Sequence, residues 1–305
     1  MNARRLRTPL LRRRRPPTPK TPLTPKTQPT PKPPARPPDS FIGGEGDARI
    51  AVYRDGAPRG TTVVLVHGVG STAEAWTDIV ERLLAALPEI SVLRLDLRAH
   101  GASTLGTAGV SVGLLARDLA HVIDALAPDR VVLAGHSLGG QVCLALAEEH
   151  PEWLGPHRIV GMLLAATSSG GPAPTAPPDG PEPLGTLTRL KGLVVVTACL
   201  WRRQPTEAAI SYYKAMVAHR SGDLRALRAS AVHVVGGGRD PWMPPSHVKN
   251  LAQRIVGSHL RILPGVGHDI PSQRPQLLVD QLSHLVRETQ HSSHEGVHSN
   301  DRARH

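Results

Sequence analysis

Cysteine, aromatic residues and long apolar runs are all scarce in this chain, and each scarcity removes a class of protein. Only two cysteines occur, Cys143 and Cys199, far apart and without metal-ligand spacing, so neither a disulfide framework nor a zinc site is indicated. The longest apolar run, Leu193 to Trp201, is half of the ~18 residues a membrane-spanning helix needs. A soluble protein of a reducing compartment, the cytoplasm, is the expectation. Aromatics are 3% of the residues, yet hydrophobic residues reach 40%, enough for a substantial core. An α/β enzyme of 305 residues is often one domain.

The net charge of +11 suggests nucleic acid until it is located. Residues 1–40 hold eleven basic residues, among them Arg12 to Arg15, against the single acid Asp39. The remaining residues hold 25 basic and 24 acidic side chains and are nearly neutral. The same 1–40 segment carries twelve of the thirty prolines. It is expected to be a disordered, extended tail with little apolar area to bury. A solvated tail is favoured over a site for nucleic acid or anionic membrane. Arg4 and Arg5 resemble a twin-arginine signal, but only Leu10 and Leu11 follow where an apolar region of ~7–15 residues is required, so export is not expected. At the other end, residues 291–305 are polar and read as a second disordered tail.

Between the tails, residues 41–290, short β-rich runs alternate with helical patterns. That is the signature of an α/β fold, a mostly parallel twisted sheet covered by helices on both faces. Arg49–Arg54 reads as a strand pairing antiparallel at the sheet edge. Thr61–Val66, Ser91–Leu95, Arg130–Ala134, Arg158–Ala165, Ala231–Val235 and His259–Leu263 read as further strands, several apolar throughout as buried parallel strands are. Helices are expected at Ser71–Leu87, Ser111–Leu126, Leu138–His150, Ser246–Val256 and Pro275–Thr289. The alternation breaks at about 168–230, where a Gly/Pro-rich loop precedes helical patterns at Leu187–Trp201 and Thr206–Arg220. This insertion is expected to form a small helical cap.

Gly135-His136-Ser137-Leu138-Gly139 fits G-x-S-x-G, with an apolar strand running in and a helix running out. A serine on that sharp turn stands exposed above the sheet, near a helix N-terminus where negative charge is favoured. It needs a base, and the base an orienting acid, both from loops after later strands. Asp240 follows Ala231–Val235, and His268 follows His259–Leu263. Asp269 is the poorer orienter, because neighbouring side chains in an extended loop point apart. An oxyanion hole needs two N–H donors. Leu138, directly after the serine, supplies one. Val69, in the loop His67-Gly68-Val69-Gly70, supplies the other, with His67 read as structural. His136, Trp201, Tyr213 and Trp242 are candidates for the substrate pocket, while Cys143 reads as packed core.

Val-Leu-Val-His-Gly at 64–68, Asp96-Leu-Arg-Ala-His-Gly-Ala-Ser103, Gly135 to Gly140, Gly238-Arg-Asp-Pro241 and Gly265-Val-Gly-His268 together resemble the α/β-hydrolase superfamily. The resemblance is to its serine esterase, lactonase and cofactor-free haloperoxidase-like branch. It implies a Ser137–His268–Asp240 triad, the Val69 and Leu138 amides as oxyanion hole, and no metal or organic cofactor. Two departures stand out. The stretch before residue 61 is shorter than usual, leaving the number of strands there open. Ala99 stands where the family often has glycine, with no obvious chemical consequence. Relatives that open epoxides or displace halide carry aspartate in place of Ser137, which argues against both reactions here. The expected activity is hydrolysis of an ester, lactone or thioester of a small molecule. Acyl transfer or carbon–carbon hydrolysis on the same residues, and a hydrolase-fold binding protein, are the alternatives. Substrate identity and oligomeric state are not encoded in the motifs.

Overall fold

The computed structural model describes residues 36–57, 60–126, 129–156, 158–170 and 206–301. The side chains of 206–209, 213 and 290–301 lie outside that description. The chain divides after Arg36, and everything below concerns the unit that follows. Residues 1–35 of the expected basic tail and the helical pattern at Leu187–Trp201 lie outside the described residues, while the last residue assigned to that tail, Ser40, already opens a strand.

Eight strands form one sheet in the order β1-β2-β4-β3-β5-β6-β7-β8. They are β1 Ser40–Gly43, β2 Arg49–Gly56, β3 Thr61–Val66, β4 Ser91–Leu95, β5 Arg130–His136, β6 Ile159–Ala165, β7 Ala231–Gly237 and β8 His259–Leu263. From β4 onward across the sheet every neighbouring pair is parallel, while β1–β2 and β2–β4 are antiparallel. Two strands therefore precede residue 61. The segment read as an edge strand, β2, is one place inside the edge, because β1 lies outside it. The short Ser-Phe-Ile-Gly run of β1 carries too little apolar pattern to announce a strand.

Alternation along the strands divides the core into two layers. Val64, Val66, Val131, Leu133, Met162, Leu164, Val232 and Val234 point to one face. There they meet α2 (Val112–Leu126), α3 (Leu138–Glu149) and α5 (Pro245–Arg254). Val63, Leu65, Val132, Ala134, Leu163, Ala165 and Val235 point to the other. That face is covered by α1 (Thr77–Ala86) and the last helix, α7 (Pro275–Asp301). Helix α7 continues beyond the Thr289 end read from polarity, into the segment expected to be a disordered tail. No proline interrupts the chain there, so the backbone ladder continues without an apolar face to guide it. Among the described residues, no helix is long and apolar enough to cross a membrane.

Of the insertion, helix α4 (Thr206–Ala218) is described, in the place the sequence suggests. Its Tyr212 and Met216 are buried in the α2/α3 layer. Gly170 bridges Arg220, and Ser221 N–H donates to the Ser169 carbonyl (2.7 Å). The insertion thus leaves and re-enters the fold side by side, just past the carboxyl end of β6.

Candidate active site

Strand β5 ends at His136 and α3 begins at Leu138, so Ser137 occupies the turn between them. Its backbone stands at φ 54° and ψ −117°, a conformation that costs an L residue about 1–3 kcal/mol. Close packing explains the flanking glycines. A Cβ at Gly135 would lie 2.5 Å from the Gly139 carbonyl, and one at Gly139 would lie 2.2 Å from the Val66 carbonyl. The Ser137 carbonyl is held by the N–H groups of Gly140 and Gln141 and by the Thr167 hydroxyl, which donates at 2.7 Å. Thr167 follows β6, beside the serine strand; no motif pointed to it, only that position at the carboxyl edge.

The next two loops of that edge bring the histidine and the acid. His268 Nε2 lies 3.0 Å from Ser137 Oγ, and His268 Nδ1 lies 2.7 Å from Asp240 Oδ2. The Asp240 side chain is fully buried, and its other oxygen accepts from the backbone N–H of Trp242 (2.8 Å) and Met243 (2.9 Å). A carboxylate so held is an acceptor toward Nδ1, which places the ring proton there and leaves the Nε2 lone pair for the serine hydroxyl. The loops are also tied to each other, since Arg239 N–H donates to the Val266 carbonyl at 2.8 Å. Asp269 instead caps the short helix α6 (Ile270–Gln273), accepting from Ser272. Asp124, on α2, pairs with Arg158 at the surface (2.7 Å).

The loop after β3 lies against the serine. A Cβ on Gly68 would sit 3.2 Å from Ser137 Cβ and 3.1 Å from His136 Nδ1, so a side chain there would crowd the serine turn. Two buried histidines brace this loop. His67 Nε2 accepts from Leu97 N–H (2.9 Å), and its Nδ1–H donates to the Gly68 carbonyl (2.7 Å). His100 Nε2 accepts from Gly70 N–H (3.0 Å), and its Nδ1–H donates to the Arg98 carbonyl (3.0 Å). Both rings must be neutral to do this. Burial enforces it, pushing His67 down to about 4 and His100 to about 3. Among the described residues, the N–H groups of Val69 and Leu138 have no acceptor. For Leu138, the first residue of α3, that is the ordinary state of a helix N-terminus.

The pocket candidates separate. His136 donates from Nε2 to the His268 carbonyl (2.9 Å), with its basicity lowered to about 4 chiefly by burial, so it acts as a strut. Trp242 is partly buried two residues past Asp240 and contributes its backbone N–H there. Trp201 and the Tyr213 side chain lie outside the described residues. Its neighbour Tyr212 is fully buried, with its hydroxyl donating to the Arg98 carbonyl and its ring edge-on to His100. Cys143 is buried in α3, its thiol pushed up to about 12 by desolvation.

Known proteins share this frame. The chain is 23% identical over 281 residues to an uncharacterized protein of Mycobacterium tuberculosis, a match covering 77% of each. A carboxylesterase structure from the thaumarchaeon Nitrososphaera gargenis superposes with a TM-score of 0.68 at 18% identity, covering 83% of this chain and 99% of that one. The enol-lactonase of Burkholderia xenovorans LB400 gives 0.62 at 22% identity, covering 81% and 99%. A family model described as Alpha/beta hydrolase family matches residues 63–281. That match spans well over half of the sequence, and the chain belongs to the alpha/beta hydrolase family.

Proposed function

We propose that the chain hydrolyses carboxylic esters, lactones or thioesters of small organic molecules through an acyl-enzyme on Ser137. The observation that carries this reading is the unbroken hydrogen-bonded line from Ser137 Oγ through His268 to a buried, saturated Asp240. His268 Nε2 takes the hydroxyl proton as Ser137 Oγ attacks the substrate carbonyl, and Asp240 stabilises the imidazolium that results. The developing oxyanion is received by the N–H groups of Val69 and Leu138. Collapse expels the alcohol or thiol, which leaves with the proton from His268. A water activated by the same ring then cleaves the acyl bond and restores the serine.

Selectivity is assigned to the insertion at about 168–230. It departs from the carboxyl edge, and ligands of open α/β sheets bind outside that edge.

A panel of p-nitrophenyl esters of increasing acyl length, with lactones and acyl-CoA thioesters, tests the reaction class. A fluorophosphonate should label the wild type at Ser137. Ser137→Ala should lose labelling and about 10⁴-fold or more of the turnover while keeping its fold. A wild type with neither labelling nor esterase activity at neutral pH would make the chain a binding protein.

A further inference from the structure

On the opposite side of β7 from α5, away from the carboxyl edge, three metal-ligating side chains converge. His233 is the third residue of β7, and it faces α7 on the same side as Val235. His284 and Glu288 lie four residues apart on α7, so they share one face of that helix. His233 Nε2, His284 Nε2 and a Glu288 carboxylate oxygen all lie within 4.8 Å of one another. His233 lies four residues before Gly237, the last residue of β7, so this cluster stands about 13 Å along the strand from the carboxyl edge that carries the serine site.

The second observation is the state of the buried histidine. His233 is 2% exposed, and its Nδ1–H donates to Gln281 Oε1 at 2.8 Å. That bond fixes the tautomer and leaves a lone pair on Nε2. Nε2 is buried without any hydrogen-bond partner among the described residues, although it points at the mouth formed by His284 and Glu288. A buried imidazole nitrogen left so is costly. A ligating histidine oriented by a hydrogen bond from its other nitrogen is the ordinary arrangement at protein-bound zinc.

The spacing fits as well. Glu288 Oε2 stands 3.9 Å from His233 Nε2 and 3.7 Å from His284 Nε2. Tetrahedral ligands on bonds of about 2.0–2.1 Å lie about 3.4 Å apart, so the carboxylate must close by a few tenths of an ångström and the two imidazole nitrogens, within 4.8 Å of each other, by at most about 1.4 Å. His284 and Glu288 are exposed enough to make that move, and the opening toward solvent gives an entry path. Two imidazoles and one carboxylate suit zinc or a similar divalent transition ion and exclude calcium or magnesium, which take oxygen ligands. His259, the register partner of His233 on the edge strand β8, holds its ring edge-on to that of His233 at 5.1 Å.

We propose that His233, His284 and Glu288 bind a divalent transition-metal ion, best zinc, that clamps helix α7 to strand β7. This site takes no part in the serine chemistry. Spacing along the sequence could not reveal it, because its ligands come from a strand and a helix some fifty residues apart.

The test is titration of the full-length chain with Zn²⁺, followed by calorimetry and melting temperature, and with Co²⁺, followed by its visible absorption. One equivalent should bind with a tetrahedral Co²⁺ spectrum and a raised melting temperature. Gln281→Ala, which only releases the ring, should weaken binding about 10–100-fold. His284→Gln should weaken it further, and because that side chain is exposed the variant should fold even where His233→Gln does not. The sequence also carries His291, His294, His298 and His305, which no variant here alters. If wild type, His284→Gln and Glu288→Gln bind alike, the metal sits on those other histidines and the proposal fails. It fails equally if the wild type binds nothing. Esterase activity should not follow the metal in any of these variants.

Discussion

Two buried polar networks sit at the carboxyl edge of the sheet, and they are built to opposite ends. The one centred on Arg98 closes on itself. Its guanidinium is fully buried, paired twice with Asp118 (2.7 and 2.8 Å), and donates to the Leu105 and Glu45 carbonyls. The Arg98 carbonyl in turn accepts from His100 and Tyr212. Nearby, Asp96 accepts from Tyr53, Ala73 and Ala102. The network around Ser137 is as carefully supported from behind, yet it ends in the serine hydroxyl and in two N–H groups that have no acceptor among the described residues. Saturation specifies a single loop geometry, and the open ends are what a substrate can complete.

Asp240 is where the difference is largest, because it saturates the open network from behind. Asp240→Asn should leave the fold intact and lower turnover on the order of 10⁴-fold, as the amide no longer enforces the Nδ1–H tautomer. Asp269→Asn should cost far less, since that carboxylate is engaged with Ser272. Steady-state kinetics on the two variants decide it. A reversed ranking would move the acid to residue 269.

In the closed network the same kind of change should damage stability instead. Asp118→Ala strands a buried guanidinium and should cost about 3–5 kcal/mol in urea unfolding. Replacing Arg98 and Asp118 together by apolar residues should cost less than the single change. A single variant within 1 kcal/mol of wild type would show that water reaches Arg98 and that the network is not closed.

The histidines joining the two networks add a pH dependence. His67 and His100 are held well below the ordinary value of 6.5, down to about 4 and about 3. Between pH 6.5 and 4 the unfolded chain therefore binds protons that the folded rings refuse. Stability should fall as pH falls through that window, by about 1 kcal/mol per pH unit for each ring. Urea midpoints at pH 7.5, 6 and 5 measure it, and a flat series would mean that the rings are not desolvated.

The open network was far more legible in the sequence than the closed one. Ser137 and Asp240 each follow a strand rich in apolar residues, His268 follows the shorter His-Leu-Arg-Ile-Leu strand, and glycines mark the turns. Strand order alone carries them to one edge. The closed network joins Glu45 and Asp118 through the Arg98 guanidinium and Tyr212 through the Arg98 carbonyl, across long stretches of chain, and no periodicity expresses that. The edge strand β1 escaped for a related reason. Four residues with an alternating half-exposed pattern hold little burial to read. Only position explains Thr167, and only the packed fold shows that Tyr212 is a beam between α4 and the Arg98 loop.

Ala99 gives the smallest effect and the sharpest contrast. The sequence suggested no consequence for alanine where relatives often have glycine, but the residue stands at φ 53°. An L side chain in that region costs roughly 1–2 kcal/mol. Ala99→Gly removes the strain, loses a partly buried methyl, and loosens the unfolded chain by about 0.4–1 kcal/mol. The balance is a gain of a few tenths of a kcal/mol, or a rise of about 1–2 °C in melting temperature. Activity should not change, because the closed network holds the loop in place either way. Ser137 stands at nearly the same φ, 54°, so Ser137→Gly should also raise the melting temperature while removing the nucleophile. A positive φ at the two positions would then be shown to serve chemistry at one and nothing at the other. If Ala99→Gly lowers the melting temperature by several degrees, the methyl contact outweighs the strain, and alanine at this position is a packing choice.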